Sequence, residues 1–275
     1  MTDKAGERFQ RETRYTLENI GGHYLDWAKR PETYKVYRDA PLVLLPPPFD
    51  GPPPAADRPP TVGAADPADS LWKAIQRRRS VRQFAGDPVS LVDLSRMLWA
   101  SAAVTRVAAN QLYRAAPSAG ALYPIETYVA ANRVTDLPAG LYHYRVAGVD
   151  ERGYVDPGGG HALEQLRLGG LGRELAQAAL AQGLVAQAAV VFVWTAVFPR
   201  SRWKYRERAF RYVYLDAGHI AAQVSLAAVA LGLGTCQIGA FLDGVVDDLV
   251  GIDGESEGTV YLTAVGHPAK GEIEG

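Results

Sequence analysis

Residues 212–231 constrain this chain more than any other stretch, because they are rich in alanine and apolar nearly all round. A helix of that composition has no solvated face, so it is expected at the centre of the fold. Tyr212, Asp216, His219 and Gln223 recur along it at helical intervals as a narrow polar stripe. His219 beside Asp216 invites comparison with a catalytic dyad or a metal site. No second histidine stands nearby and HExxH is absent, so the stripe reads as a hydrogen-bonded core network. The uncharged run 220–242 is long enough by count to span a bilayer. Gln223, Ser225, Thr235 and Gln237 interrupt it, and Gly232, Gly234 and Gly239 would break a spanning helix. A buried helix, a turn and a short strand explain it better. Residues 188–197 are nearly continuously apolar, the pattern of a strand buried on both faces.

With 48% hydrophobic residues in 275, the chain has ample material for one large core or two small ones. Its 29 basic and 30 acidic residues leave a net charge of -1, which argues against a nucleic-acid partner. The single cysteine, Cys236, excludes an internal disulfide and a cysteine-based zinc site, and no metal is expected. This suits a cytoplasmic protein, and residues 1–10 lack the apolar core of a signal peptide. Tyr15, Tyr24, Trp27, Tyr34 and Tyr37 mark residues 1–40 as a segment that packs against something. The proline run 41–60 forbids helix and reads as an extended surface connector. Three parts follow: an aromatic and proline-rich extension over 1–68, a main domain over 69–270, and a tail over 271–275.

The main domain begins with Arg77-Arg78-Arg79-Ser80-Val81-Arg82. Asp69 or Ser70 can cap a helix whose Leu71 and Ile75 share a face, and Arg78 or Arg79 extends that face inward by one turn. An inward guanidinium needs an anion, either a protein carboxylate or a phosphate. A phosphate cradle is the sharper expectation, since arginine prefers planar anions, Ser80 adds a hydroxyl and Arg82 returns two residues later. The plainer reading is that these cations complement a helix dipole.

Farther on, Ser90 opens a helix to about residue 103, with Leu91, Leu94 and Leu98 at helical spacing. Residues 105–116 show no clear period. The stretch 117–124, Pro-Ser-Ala-Gly-Ala-Leu-Tyr-Pro, reads as a rigid loop whose backbone can approach a flat ligand. Strands are expected over 125–131 and 141–146, a glycine-rich turn over 155–160, and short amphipathic helices over 161–168 and 172–182. Residues 198–211 carry Arg200, Arg202, Lys204, Arg206, Arg208 and Arg211. Most of these arginines read as a solvated face. Lys204 is singled out because neighbouring cations and Trp203 would disfavour its charge, making it a candidate base. Residues 232–241 follow a helix, not a strand, and lack GxGxxG spacing, so a Rossmann reading fails. A helix over 243–250 and a strand over 260–266 close the domain. Neither a Walker motif nor a GxSxG elbow occurs.

Taken in order, Arg78-Arg79-Ser80-Val81-Arg82, the 117–124 loop, Lys204-Tyr205, Tyr214-Leu215-Asp216-Ala217-Gly218-His219 and residues 232–241 resemble the flavin-dependent nitroreductase superfamily. Within it they are most similar to the SagB-type dehydrogenases, the azoline oxidases. The resemblance implies an α+β fold with a mostly antiparallel central sheet flanked by helices, dimeric, with FMN at the subunit interface. By it, Arg78, Ser80 and Arg82 hold the FMN phosphate and ribityl chain, with Arg79 beside them. Pro117, Ser118, Ala119 and Gly120 lie against the isoalloxazine, and Ile238, Gly239 and Ala240 turn backbone N–H groups toward flavin N5. Lys270 is the basic residue left to complete the phosphate clamp, where many members carry several. Lys204 and Tyr205 match the pair that removes a substrate proton while hydride passes to the flavin. The implied reaction is dehydrogenation of a thiazoline- or oxazoline-like substrate. Two other readings stay open: an NAD(P)H-dependent nitroreductase or quinone reductase, and a non-catalytic flavin-binding scaffold subunit.

Overall fold

A computed structural model describes residues 5–15, 23–48, 71–108, 111–149, 155–156 and 160–272. The apolar run expected to be buried on both faces is β9 (Val190–Val197), and it sits inside the main sheet. It pairs antiparallel with β4 (Ile125–Ala131) on one edge and β11 (Glu257–Gly266) on the other. Outward from β4 come β5 (Gly140–Arg145), β8 (Ala162–Leu168) and β1 (Leu42–Leu44); beyond β11 lies β10 (Gly234–Ile238). All neighbours are antiparallel, which completes a seven-stranded sheet of the expected α+β type.

Each face of the sheet carries its own core. On one face, α3 (Leu91–Ala102) and α7 (Ala209–Ala230) pack over Val129, Phe192 and Trp194. The Phe192 and Trp194 rings stack at 5.2 Å, and the Trp194 indole donates to Thr263 Oγ1 at 2.8 Å. On the other face, α4 (Gly172–Ala178), α5 (Gly183–Gln187) and α8 (Asp243–Val250) cover Tyr128, Val191, Val193 and Leu262. The stretch 198–230 is long and apolar enough to cross a membrane by length and composition alone. Its Val213, Ala217, Ile220, Val224 and Ala228 are instead buried on the sheet, and β10 takes up the residues after the Gly232 turn.

Several local expectations yield to tertiary context. Residues 162–168 form a strand, not a helix, because β5 and β1 hydrogen-bond both of its edges. Residues 172–182 stop being helical at Ala178, and Leu180 and Ala181 turn left-handed before α5. The aperiodic 105–116 region is a separate hairpin of β2 (Val104–Ala108) and β3 (Gln111–Arg114). Of the 155–160 turn, β7 (Val155–Asp156) pairs with β6 (Gly148–Val149), and 157–159 lie outside the described residues.

The arginine helix, α2 (Leu71–Arg77), is also corrected: Ala74 is its buried residue, while Leu71 and Ile75 are exposed. Its proposed caps, Asp69 and Ser70, lie outside the described residues, as do 49–68 of the extension and proline run and 273–275 of the tail. Arg78, Arg79 and Arg82 are exposed on this chain rather than aimed into its core.

Of the N-terminal aromatics, Tyr15, Trp27, Tyr34 and Tyr37 meet side chains of the main domain whereas Tyr24 is exposed, and cationic side chains capture the backbone between them. Arg211 Nη2 donates to Gln10 O at 2.7 Å, Arg208 Nη1 to Thr13 O at 2.8 Å, and Arg200 Nε to Glu32 O at 2.7 Å. Lys35 then reaches Glu257 Oε2 at 2.5 Å and Tyr128 Oη at 2.7 Å, where burial is offset by the ion pair.

Candidate active site

Two clusters of chemistry-bearing residues form, both anchored to α7. The first begins where α2 ends. Val81 N–H donates to Thr235 O at 2.9 Å, and Ser80 bridges Thr235, so the chain leaves the helix as an extended segment beside β10. This register needs Gly234, since a Cβ there would lie 2.6 Å from Val81 Cγ2. The C-terminal segment closes the same corner: Ala85 N–H donates to His267 O at 2.8 Å and Ala269 N–H to Gln83 O at 2.9 Å. Lys270 is thereby brought beside the arginine segment, exposed. Glu272 accepts from the backbone N–H of Arg82 at 2.6 Å. Arg79 Nη1 donates to Gln76 O at 2.7 Å, and Arg82 Nη1 to Ser80 O at 3.4 Å. Among the described residues no carboxylate side chain forms an ion pair with Arg77, Arg78, Arg79 or Arg82. A cleft of about 490 Å³ opens here, lined by Arg77, Arg79, Val81, Val229, Gly232 and Pro268 among others. β10 carries Ile238, buried, to the sheet edge, where Gly239 and Ala240 are exposed.

The second cluster joins the 117–124 loop to the Lys204–Tyr205 pair. Pro117 and Ser118 lead into a tight turn over Ala119–Ala121, where Gly120 and Ala121 have φ of 64° and 52°, and Tyr123 just beyond it has φ of 48°. Left-handed Ala121 and Tyr123 cost about 1–3 kcal/mol each and persist only where the surroundings hold them. Arg200 Nη1 donates to Tyr123 O at 3.1 Å and the Arg114 N–H to Tyr123 Oη at 3.0 Å, while Asp216 holds the start of the loop: its Oδ2 accepts from Ser118 Oγ at 2.6 Å and its Oδ1 from Ala119 N–H at 3.3 Å. Lys204 and Tyr205 end α6 (Phe198–Tyr205), which Arg206 terminates with φ 51°. A Cβ built on Gly120 would lie 2.5 Å from Tyr205 Oη and 3.0 Å from Lys204 Nζ, so only glycine lets the loop approach this pair. The Lys204 ammonium lies 5.4 Å from the Tyr205 ring centre. Burial, with Tyr212 beside it, pushes the Tyr205 phenol up, so it is protonated at neutral pH. Burial also raises the Asp216 carboxyl, against the opposing pull of its Ser118 bond.

The N-terminal segment walls this second cluster. Trp203 Nε1 donates to Asp26 O at 2.9 Å, Trp27 meets Trp203 edge-on at 5.1 Å, and Arg208 lies 4.2 Å from the Tyr15 ring.

Within one chain the two clusters stay apart. The second hangs on Asp216, whereas β10 is tied to α7 farther along, by Gln237 Nε2 to Ala221 O at 3.2 Å and to Ser225 Oγ at 2.7 Å. From residue 216 to 225 a helix rises about 14 Å. No described hydrogen bond or ion pair joins Arg78–Arg82 to the 117–120 loop or to Lys204–Tyr205.

Of the polar stripe on α7, Asp216 and Gln223 do enter networks, with Gln223 Nε2 donating to Ala115 O at 3.2 Å, but His219 is exposed. Arg200 departs from the solvated face: it is 4% exposed and pairs with Glu126 at 2.6 Å. Burial alone would raise the Glu126 carboxyl, but Arg200, His143 and Arg114 hold it at about 2. The buried Arg114, near the rings of Tyr34 and Tyr123 at 5.0 and 4.7 Å, also escaped the sequence reading; the aperiodic run around it gave no signal. Among the described residues no cluster of three His, Cys, Asp or Glu side chains could hold a metal.

Comparison with known proteins agrees with the fold. The profile of the Nitroreductase family matches residues 75–267. A protein of Methanocaldococcus jannaschii described as a nitroreductase is 37% identical over 182 residues, 66% of this chain and 84% of its own length. The trifolitoxin-processing protein TfxB of Rhizobium leguminosarum bv. trifolii is 31% identical over 149 residues, 52% of this chain. The crystal structure of a protein of Anabaena variabilis described as a nitroreductase superposes with a TM-score of 0.60 at 31% identity over 72% of this chain. The chain spans only 37% and 38% of these last two proteins. With the profile covering well over half of its residues on an antiparallel α+β sheet of matching architecture, the chain belongs to the nitroreductase family of oxidoreductases.

Proposed function

We propose that this chain is an FMN-dependent dehydrogenase of the SagB type, acting on a thiazoline- or oxazoline-like or related small or peptide-derived substrate. The observation that carries this reading is the contact of Lys204 and Tyr205 with Gly120, which puts a proton-handling pair against a loop fit only for close approach. The residues present suit FMN. Arg78, Arg79, Ser80, Arg82 and Lys270 supply cations and a hydroxyl beside a cleft of ligand size; the Glu272 carboxylate in the same corner is taken up by the backbone N–H groups of Arg82 and Gln83 and forms no ion pair with these arginines. Pro117–Gly120 and Ile238–Ala240 supply small residues for a flat ring. Bound FMN supplies the hydride acceptor. The chain's own part is to orient the substrate and handle its proton: Lys204 takes it, and the neutral Tyr205 phenol holds a hydrogen bond at the reacting centre. The relative named for processing trifolitoxin supports a peptide-derived substrate.

A homodimer is part of the same proposal. Two clusters tied to different turns of one helix make a single site if each is completed by the other subunit. The outer face of α7 is apolar where a partner would sit, with Leu215 exposed and Leu226 and Val229 half-buried, and Leu71, Trp72 and Ile75 of α2 are exposed as well. That pattern fits a covered face better than a wet one.

A second reading, an NAD(P)H-dependent nitroreductase or quinone reductase, is favoured by the Methanocaldococcus relative, of which the chain covers 84%. One experiment tests both. An absorption spectrum of the purified protein, with identification of the released chromophore, is expected to show FMN; colourless protein that does not take up added FMN refutes the proposal. Anaerobic mixing with NADPH is expected to leave the flavin oxidised. Rapid bleaching establishes the second reading instead.

A further inference from the structure

We propose that Tyr212 and Asp216 are positioning residues that set how far the Lys204–Tyr205 pair stands from the Ser118–Gly120 loop. This rests on the assignment of that pair and loop to the reaction centre. The two residues lie four apart on α7, so they project from one face, about one 5.4 Å turn from each other. Tyr212 supports the pair: its ring meets the Tyr205 ring edge-on at 4.7 Å, and its hydroxyl accepts a hydrogen bond from Arg208 Nε at 3.0 Å. Asp216 supports the loop through Ser118 Oγ and Ala119 N–H, and Ser118 Oγ in turn accepts from Tyr123 N–H at 2.9 Å. The carboxylate is only 3% exposed and its two oxygens are engaged by these donors, so it is a brace rather than a base.

The need for a brace is visible in the loop. Three of its residues are left-handed and two of those carry side chains, a conformation that relaxes unless something outside the loop fixes it. The tolerance is also narrow, because Tyr205 Oη stands 2.5 Å from where a Gly120 methyl would be. A turn of helix is stiffer than any side chain, so carrying both supports on one turn makes the gap a property of backbone geometry.

Ser118→Ala and Asp216→Ala both break the Ser118–Asp216 bond, and each also frees one backbone N–H, that of Tyr123 in the first and of Ala119 in the second. Each is expected to lower kcat about tenfold to hundredfold with KM unchanged, and the double variant to lose less than the product of the two single losses, because the shared bond is lost only once. Asp216→Asn keeps an acceptor for the loop and is expected to recover most of the loss. Amide hydrogen exchange on the purified protein without substrate is expected to accelerate at Ala119 and Tyr123 in S118A and D216A, and to stay slow in D216N. Tyr212→Leu is expected to lower kcat with exchange at Ala119 unaltered, and Tyr212→Phe to restore it. Should D216A misfold, S118A reports on the same bond. Losses that multiply in the double variant, exchange that D216A and S118A leave unaltered, or full kcat in Tyr212→Leu overturn the proposal. Failure of the underlying functional reading looks different: the wild-type protein binds no flavin and does not turn over, and the exchange pattern then decides whether Asp216 braces the loop.

Discussion

Replacing Gly120 by alanine is the most direct challenge to the proposed reaction centre. The added methyl would stand 2.5 Å from Tyr205 Oη and 3.0 Å from Lys204 Nζ, where ordinary contacts begin at 3.4 Å. Lys204 can swing its flexible end aside. Tyr205 cannot do so cheaply, because its ring is set edge-on against Tyr212 at 4.7 Å. Relief therefore needs a shift of about 0.9 Å, the difference between 3.4 and 2.5 Å, in the phenol or the loop. A misplacement near 1 Å costs about a hundredfold in rate when it separates groups that must meet. The backbone adds its own penalty, since φ of 64° costs a residue with a Cβ about 1–2 kcal/mol. The expected result is turnover per bound flavin down about a hundredfold and a Tm lower by about 2–8 °C. Gly170→Ala serves as the control, because a Cβ there meets only Asn132 Oδ1, at an ordinary 3.9 Å, and lies in neither cluster. A Gly120→Ala enzyme with wild-type turnover, measured by steady-state kinetics beside a melting curve, refutes the idea that loop and pair act at one centre.

Arg82→Ala is expected to lower FMN occupancy, read from the ratio of flavin to protein absorbance, by removing a charge-assisted contact of about 1.5–3 kcal/mol; undiminished occupancy removes Arg82 from the cradle. Lys204→Ala is expected to retain flavin and lose about a hundredfold in turnover, and unchanged turnover excludes it as the base. Melting temperature against pH should carry two signatures of the buried network. Glu126, held at about 2 where an exposed glutamate titrates near 4.5, contributes stability that is complete above 4.5 and is lost as pH falls toward 2. Glu126→Gln should flatten that acid limb. Burial would lower His143, but Glu126 and Glu164 raise it above 6.5, so its contribution is complete below 6.5 and declines as pH rises through its folded value. A Tm profile that is flat in both windows contradicts the network.

What the sequence determined by itself are the features whose cause is local or compositional. An alanine-rich helix apolar nearly all round has to be central, and α7 spans residues 209–230 against the 212–231 expected. An apolar run that no turn interrupts has to be an interior strand, as β9 is. The Ser90 cap, whose Oγ accepts from Asp93 N–H at 3.0 Å, acts within one turn and was equally legible. Tertiary structure alone decided the features that depend on distant partners. Leu163 and Leu166 satisfy a helical pattern, yet two neighbouring strands claim the backbone of β8, and ladder hydrogen bonds outweigh a weak period. Arg200 looks like its solvated neighbours, but β4 places Glu126 within 2.6 Å, and an ion pair can bury what charge alone would keep in water. Asp216 was visible as a polar residue in an apolar helix, but its partner lies 98 residues away at Ser118. Sequence periodicity reports which face of an element is buried; which group meets it there depends on chain crossings that no local pattern encodes.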